Sequence, residues 1–352
     1  MSRNALKMAA YRLLWITLAG LILHFALGLT SVGGNVVEWL PRSVLMTAAI
    51  AVGLSAGSLY LLGATAPTAR PDRLTRWAIL AAAASIVSVT VSMFSVLGGR
   101  ESVAPFHLTL VLPVSVLPLL YWLYRRFGNV STAWAESSLA AAVLLLVVSR
   151  GLRVLLVALP PDFETVPPTL RTLVALFSLA CALIVGAHGM APHADRGTDR
   201  LLSAPWAAAA LLWLVLAACL ETLLPLPGMA SWACGPLLEE ARVAAVQWAG
   251  LALVLGLANQ VAAELRGENR RVTGWIPFWL VLAGSLLHAA GRVIAGLLSA
   301  YHAALPGAPP MAEGQTLLAP FAGMAQTGVV LILVGLLVFA VSYYWRRPRS
   351  TA

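Results

Sequence analysis

Apolar residues gather in long uninterrupted runs along this chain, too long for the alternation of a half-buried strand and too continuous for the one-sided stripe of a soluble helix. A helical run of about 20 residues crosses some 30 Å of hydrocarbon. Runs of that kind predict ten membrane-crossing helices, at 11–32, 43–65, 76–97, 104–124, 133–157, 167–190, 204–224, 237–262, 273–301 and 317–345. The breaks carry turn chemistry, among them "TSVGGN", "TAPTARPDR", "LPPDFETVPP", "APHADRGTDR" and "LPGAPPMAEGQ". The pattern predicts an all-α fold over 1–352, a single polytopic transmembrane bundle of about ten helices with no soluble domain. The N-terminal "MSRNALKMAAYRLLWITLAGLILHFALGL" has the basic start of a secretory leader. Its apolar run is too long and no small-residue cleavage site follows, so it is read as the first span.

Composition agrees, with 60% hydrophobic and 11% charged residues. The lipid bilayer is the implied partner, and a multi-pass place in the inner (plasma) membrane the implied location. The 23 basic residues add orientation. Sixteen of them fall at the N-terminus, in alternate loops and in the tail, including Arg3, Lys7, Arg70, Arg73, Arg125 and Arg346. The positive-inside rule then places both termini in the cytoplasm. Trp77, Trp122, Trp206, Trp275 and Trp345 are expected in the inner interfacial belt, and Trp39 and Trp232 in the outer one. No Gly-rich phosphate loop and no basic patch interleaved with aromatics is present, so no nucleic-acid partner is expected.

The chain has no HExxH and no long loop on which to mount a catalytic site. Glu239 and Glu240 open a helix, where they suit its dipole. Cys181, Cys219 and Cys234 lack the CxxC spacing of zinc or redox sites. They read as small buried hydrophobes, with a Cys219–Cys234 disulfide near the outer face as the alternative.

Several stretches, taken in order, resemble one family. The segment 39–80, "WLPRSVLMTAAIAVGLSAGSLYLLGATAPTARPDRLTRWAIL", is similar to the second helix of the large subunit of C-type haem-copper oxidases and their nitric oxide reductase relatives. "LGGRESVAP" (97–105) resembles that family's Gly-x-Glu outer loop, and "IPFWLVLAGSLLHAAGRVIAGLLSAY" and "QTGVVLILVGLLVFAVSYYW" look like its last two helices. The resemblance covers about two thirds of the chain and is one of texture and order. It implies a subunit I-like fold, haem b as cofactor and respiratory-complex subunits as partners. The family's metal ligands do not carry over. Its helix-two histidine falls at Arg42 or Ser43, its adjacent histidine pair falls near Glu221, no helix holds the His-x-His pair, and two helices are missing around 240–272. What the resemblance implies is therefore a relative without an intact binuclear centre, not an oxidase or reductase on its own. Glu101 is the one functional position that matches. Carboxylates of that loop lie near haem propionates in the family, with calcium in some members, but Ala104 replaces the second carboxylate here.

Six histidines remain: His24, His107, His188, His193, His288 and His302. His188 and His193 flank a loop beside Asp195, and His107 and His302 lie near helix ends. His24 and His288 sit inside spans of the same polarity, at similar depths of roughly 20 and 22 Å from their helix starts at 1.5 Å per residue. Equal depth is what an axial pair on one haem b, or two ligands of a copper ion, requires. Arg292 lies one turn from His288, and Arg150 and Arg153 lie on the outer side, where guanidinium groups can hold propionates. The alternative is that His288 and Arg292 bond to Glu221, Ser285 or backbone carbonyls and fix helix packing, which the small Gly284, Gly291 and Ala295 would favour. Three functional readings follow: a non-catalytic or haem-carrying subunit working with respiratory proteins, a transporter of a small or hydrophobic solute, and a structural subunit of a membrane complex. No paired broken helices or internal repeat marks the second.

Overall fold

The computed structural model describes residues 3–29, 42–64, 73–97, 112, 115–120, 136–145, 147–148, five isolated positions between 173 and 184, 203–223, 236–265, 273–304 and 311–345. Among these, nine helices and no strand are found, where about ten helices were expected. They are α1 (Arg3–Leu29), α2 (Arg42–Ala64), α3 (Arg73–Leu97), α4 (115–120), α5 (Glu136–Leu145), α6 (Ser203–Leu223), α7 (Pro236–Leu265), α8 (Trp275–Ala304) and α9 (Met311–Trp345). Most of the expected sixth span, 167–190, lies outside the described residues. Among the described residues, five helices are long and apolar enough to cross a bilayer, which makes the chain a multi-pass membrane protein in character.

The helix α7 forms the centre. In the most apolar 18-residue stretch of its Val243–Leu265 span, 89% of residues are buried, against 28% for the corresponding stretch of α1 and 33% for those of α8 and α9. A helix apolar on every side can sit inside a bundle as readily as in lipid, and this one is enclosed by α1, α2, α6 and α8. Small residues let the backbones approach. A Cβ added at Gly53 would meet Val254 at 2.7 Å and Thr17 at 3.0 Å, and one at Gly250 would meet Ile50 at 2.7 Å. Two polar side chains of α7 bond across to neighbouring segments. Gln247 donates to Thr47 (3.0 Å), and Asn259 accepts from Thr273 (2.9 Å).

The most extensive helix pair is α8 with α9. Four glycines, Gly284 and Gly291 on α8 and Gly328 and Gly335 on α9, set their separation. A Cβ on Gly284 would lie 2.7 Å from the Gly328 carbonyl oxygen, and one on Gly291 would lie 2.6 Å from that of Phe321. Against α1, α9 places Tyr343 on Tyr11, with ring centroids 4.9 Å apart.

Exposed tryptophans fit interfacial anchoring at three of the expected positions: Trp77 at 58%, Trp275 at 38% and Trp345 at 81%. Trp206 is a correction. It is 1% exposed, packed edge-on against Phe278 and Phe339, and belongs to the core. An aromatic near a helix end faces its neighbours or the lipid according to helix rotation, which hydropathy does not encode.

Candidate functional site

On α1, Leu14, Leu18, Leu21 and Phe25 recur at helical spacing and are buried. The C-terminal end of that stripe, Phe25, sits against Trp248 of α7. His24, beside Phe25, is half-buried at its edge. On α8, the glycines bring the mid-helix residue His288 against α9. Both histidines line one cavity of about 490 Å³, together with Phe25, Gln247, Trp248 and Arg292. Phe321, Ala325 and Gln326 of α9 complete the wall opposite.

An aromatic series joins the two imidazoles along the cavity. The His24 ring stands edge-on to Phe25 at 4.9 Å, Phe25 stacks on Trp248 at 5.7 Å, and Trp248 meets His288 at 5.7 Å with planes 75° apart. The indole Nε1–H of Trp248 is buried and has no hydrogen-bond partner among the described residues.

Among the described residues, His288 is oriented by one bond, from its Nδ1–H to the carbonyl oxygen of Ala325 on α9 (3.1 Å). A carbonyl oxygen only accepts, so Nδ1 carries the proton, and in the neutral ring Nε2 keeps its lone pair. A ring held this way through one nitrogen, with the other unprotonated, is what metal-ligating histidines require. The same bond also ties α8 to α9. Ser285 takes no part, since its hydroxyl donates to Leu282 of its own helix (2.9 Å).

Of the residues singled out from sequence, His24, His288 and Arg292 are therefore brought to one cavity. Glu101, Arg150 and Arg153 lie outside the described residues, as do His107, His188 and His193 and the side chain of Glu221. Cys219 on α6 is a free thiol, and Cys234 lies outside the described residues. Sequence reasoning passed over Trp248. A Gln-Trp pair within the apolar run "VAAVQWAGLALVL" was a signal for it, because an indole N–H and an amide inside a membrane need partners.

A second polar cluster was also missed. Glu264, one residue from the end of α7, accepts from Tyr60 of α2 and from Gln260 (3.0 Å), and pairs with Lys7 of α1 at 3.1 Å. The ammonium of Lys7 lies 6.0 Å from the Tyr60 ring centroid. Lys7 and His24 are 17 residues apart on α1, so this cluster sits about 25 Å from the cavity, at the other end of the bundle. Its satisfied carboxylate joins three helices and reads as a structural clasp.

No protein-family model matches the sequence, and no curated protein matches it.

Proposed function

We propose that the chain is a haem-carrying, non-catalytic subunit of a respiratory electron-transfer assembly in the inner membrane, related to the haem-copper oxidase large subunit, with both termini cytoplasmic. The observation that carries this reading is the meeting of His24 and His288 on one cavity beside Arg292, although 264 residues separate them in sequence.

The residues present fit haem b. The imidazoles of His24 and His288, on separate helices, would hold its iron, and the macrocycle would supply the remaining donors. Among the described residues no group of three or more His, Cys, Asp or Glu side chains gathers to hold a bare ion, so the copper alternative has less support. The cavity volume lies within the roughly 300–1,000 Å³ range of cofactor sites. Phe25, Trp248 and Phe321 offer flat apolar faces to a porphyrin, and Arg292 offers a guanidinium to a propionate.

Bound haem would supply one-electron redox chemistry. The protein's own part is positional. Ala325 fixes the tautomer and plane of His288, Phe25 and Trp248 give the cavity apolar aromatic walls, and Arg292 offsets negative charge that would be costly at this depth. The test is haem quantification by pyridine haemochrome, with metal analysis, on the detergent-purified protein. A stoichiometry near one haem b per chain is expected, and protein free of haem and metal would overturn the reading.

A second reading, a purely structural subunit, draws on the His288–Ala325 bond and the glycine contacts around it. It requires neither His24 nor the cavity.

A further inference from the structure

A second concavity, of about 620 Å³, lies on the flank of the bundle between α3, α4 and α5. Its lining is both polar and apolar. Arg73 and Trp77, one turn apart at the start of α3, line it together with Glu136 at the start of α5. From there Ala140, Val143, Leu144 and Val147 follow Glu136 at helical spacing. Eleven residues at 1.5 Å each make this stripe about 16 Å long, which matches one leaflet of a 30 Å hydrocarbon core. Trp77, Leu144 and Val147 are 58%, 64% and 42% exposed, so the groove opens toward lipid.

We propose that this groove is a site for one phosphatidylethanolamine molecule. A lipid-facing helix surface needs no charges, yet this one ends in a guanidinium and a carboxylate that make no ion pair with each other or with another described residue. The two charges complement a zwitterionic headgroup. Arg73 presents planar N–H donors to the phosphate, and Glu136 accepts from the primary ammonium. The acyl chain lies along Ala140, Leu144 and Val147, and Trp77 sits at headgroup level. An anionic headgroup without an amine would leave Glu136 facing a phosphate. A choline headgroup has no N–H with which to satisfy Glu136.

Native mass spectrometry and competitive lipid exchange of the full chain in nanodiscs test this, using phosphatidylethanolamine, phosphatidylcholine and phosphatidylglycerol with identical acyl chains. Wild type is expected to retain phosphatidylethanolamine about tenfold better than either competitor, the effect of one charge-assisted contact. Arg73→Gln lowers retention of all three. Glu136→Gln abolishes the preference over phosphatidylcholine and raises phosphatidylglycerol binding. Leu144→Trp, which fills the groove and leaves both charges intact, reduces retention of every lipid. Equal retention of the three lipids by wild type, or an unchanged preference in Glu136→Gln protein of wild-type thermal stability, overturns the proposal.

Discussion

The replacement Gly328→Ala isolates the contact on which the α8–α9 pair is built. The added Cβ would lie 2.5 Å from the Gly284 carbonyl oxygen and 2.6 Å from the His288 backbone nitrogen, and both are backbone atoms that no rotamer change can move. Ordinary contact begins at 3.4 Å, so the two helices must part by about 0.9 Å. The Nδ1–H bond of His288 to Ala325, now 3.1 Å, would then stretch to about 4 Å and be lost. Overpacking of this kind costs about 1–3 kcal/mol, and an interhelical hydrogen bond in a membrane adds about 0.6 kcal/mol. Against this stands the better helix propensity of alanine, about 0.8–1 kcal/mol. A net loss of about 0.6–2.8 kcal/mol results. Gly323→Ala on the same helix is the control, because its Cβ would have nothing within 4 Å and keeps only the propensity gain. Unfolding in mixed micelles, followed by circular dichroism, should show Gly328→Ala clearly less stable than wild type and Gly323→Ala equal or slightly more stable. Equal stabilities for the two variants would refute the close-approach reasoning.

Two further outcomes are expected. Glu264→Ala strips Lys7, Tyr60 and Gln260 of their shared acceptor and should lower stability by about 1–3 kcal/mol, with Glu264→Gln intermediate, measured by the same unfolding assay. Reporter fusions read out by fluorescence and phosphatase activity should find both ends of the chain in the cytoplasm. A periplasmic C-terminus would require an odd number of spans and break the arginine-based orientation.

Much of the architecture was legible because a membrane span is a matter of length and hydropathy. The run 204–224 corresponds to α6 (Ser203–Leu223), and 273–301 to α8 (Trp275–Ala304). The start of α1 was missed because Arg3 and Lys7 are hydrophilic yet remain helical, with Lys7 turning back to Glu264. The start of α9 was missed for a related reason, since "MAEGQT" stays helical before its apolar run. The central place of α7 could not be read, because hydropathy assigns a lipid-facing helix and an enclosed one the same score. At the candidate site, equal depth for His24 and His288 came from the rise per residue. Whether the two face each other depends on helix rotation and on neighbours that only packing reveals. Ala325 is the clearest example: an alanine that contributes its backbone carbonyl carries no mark in the sequence.

The most direct test of the cavity's role is a reduced-minus-oxidised optical spectrum of purified wild-type, His24→Ala and His288→Ala proteins, with folding of each checked by circular dichroism. A cavity that ligates haem through both imidazoles predicts a low-spin b-type spectrum in wild type and its loss or conversion to high spin in each folded variant. No haem signal in wild type, or an unchanged low-spin spectrum in both variants, would contradict it.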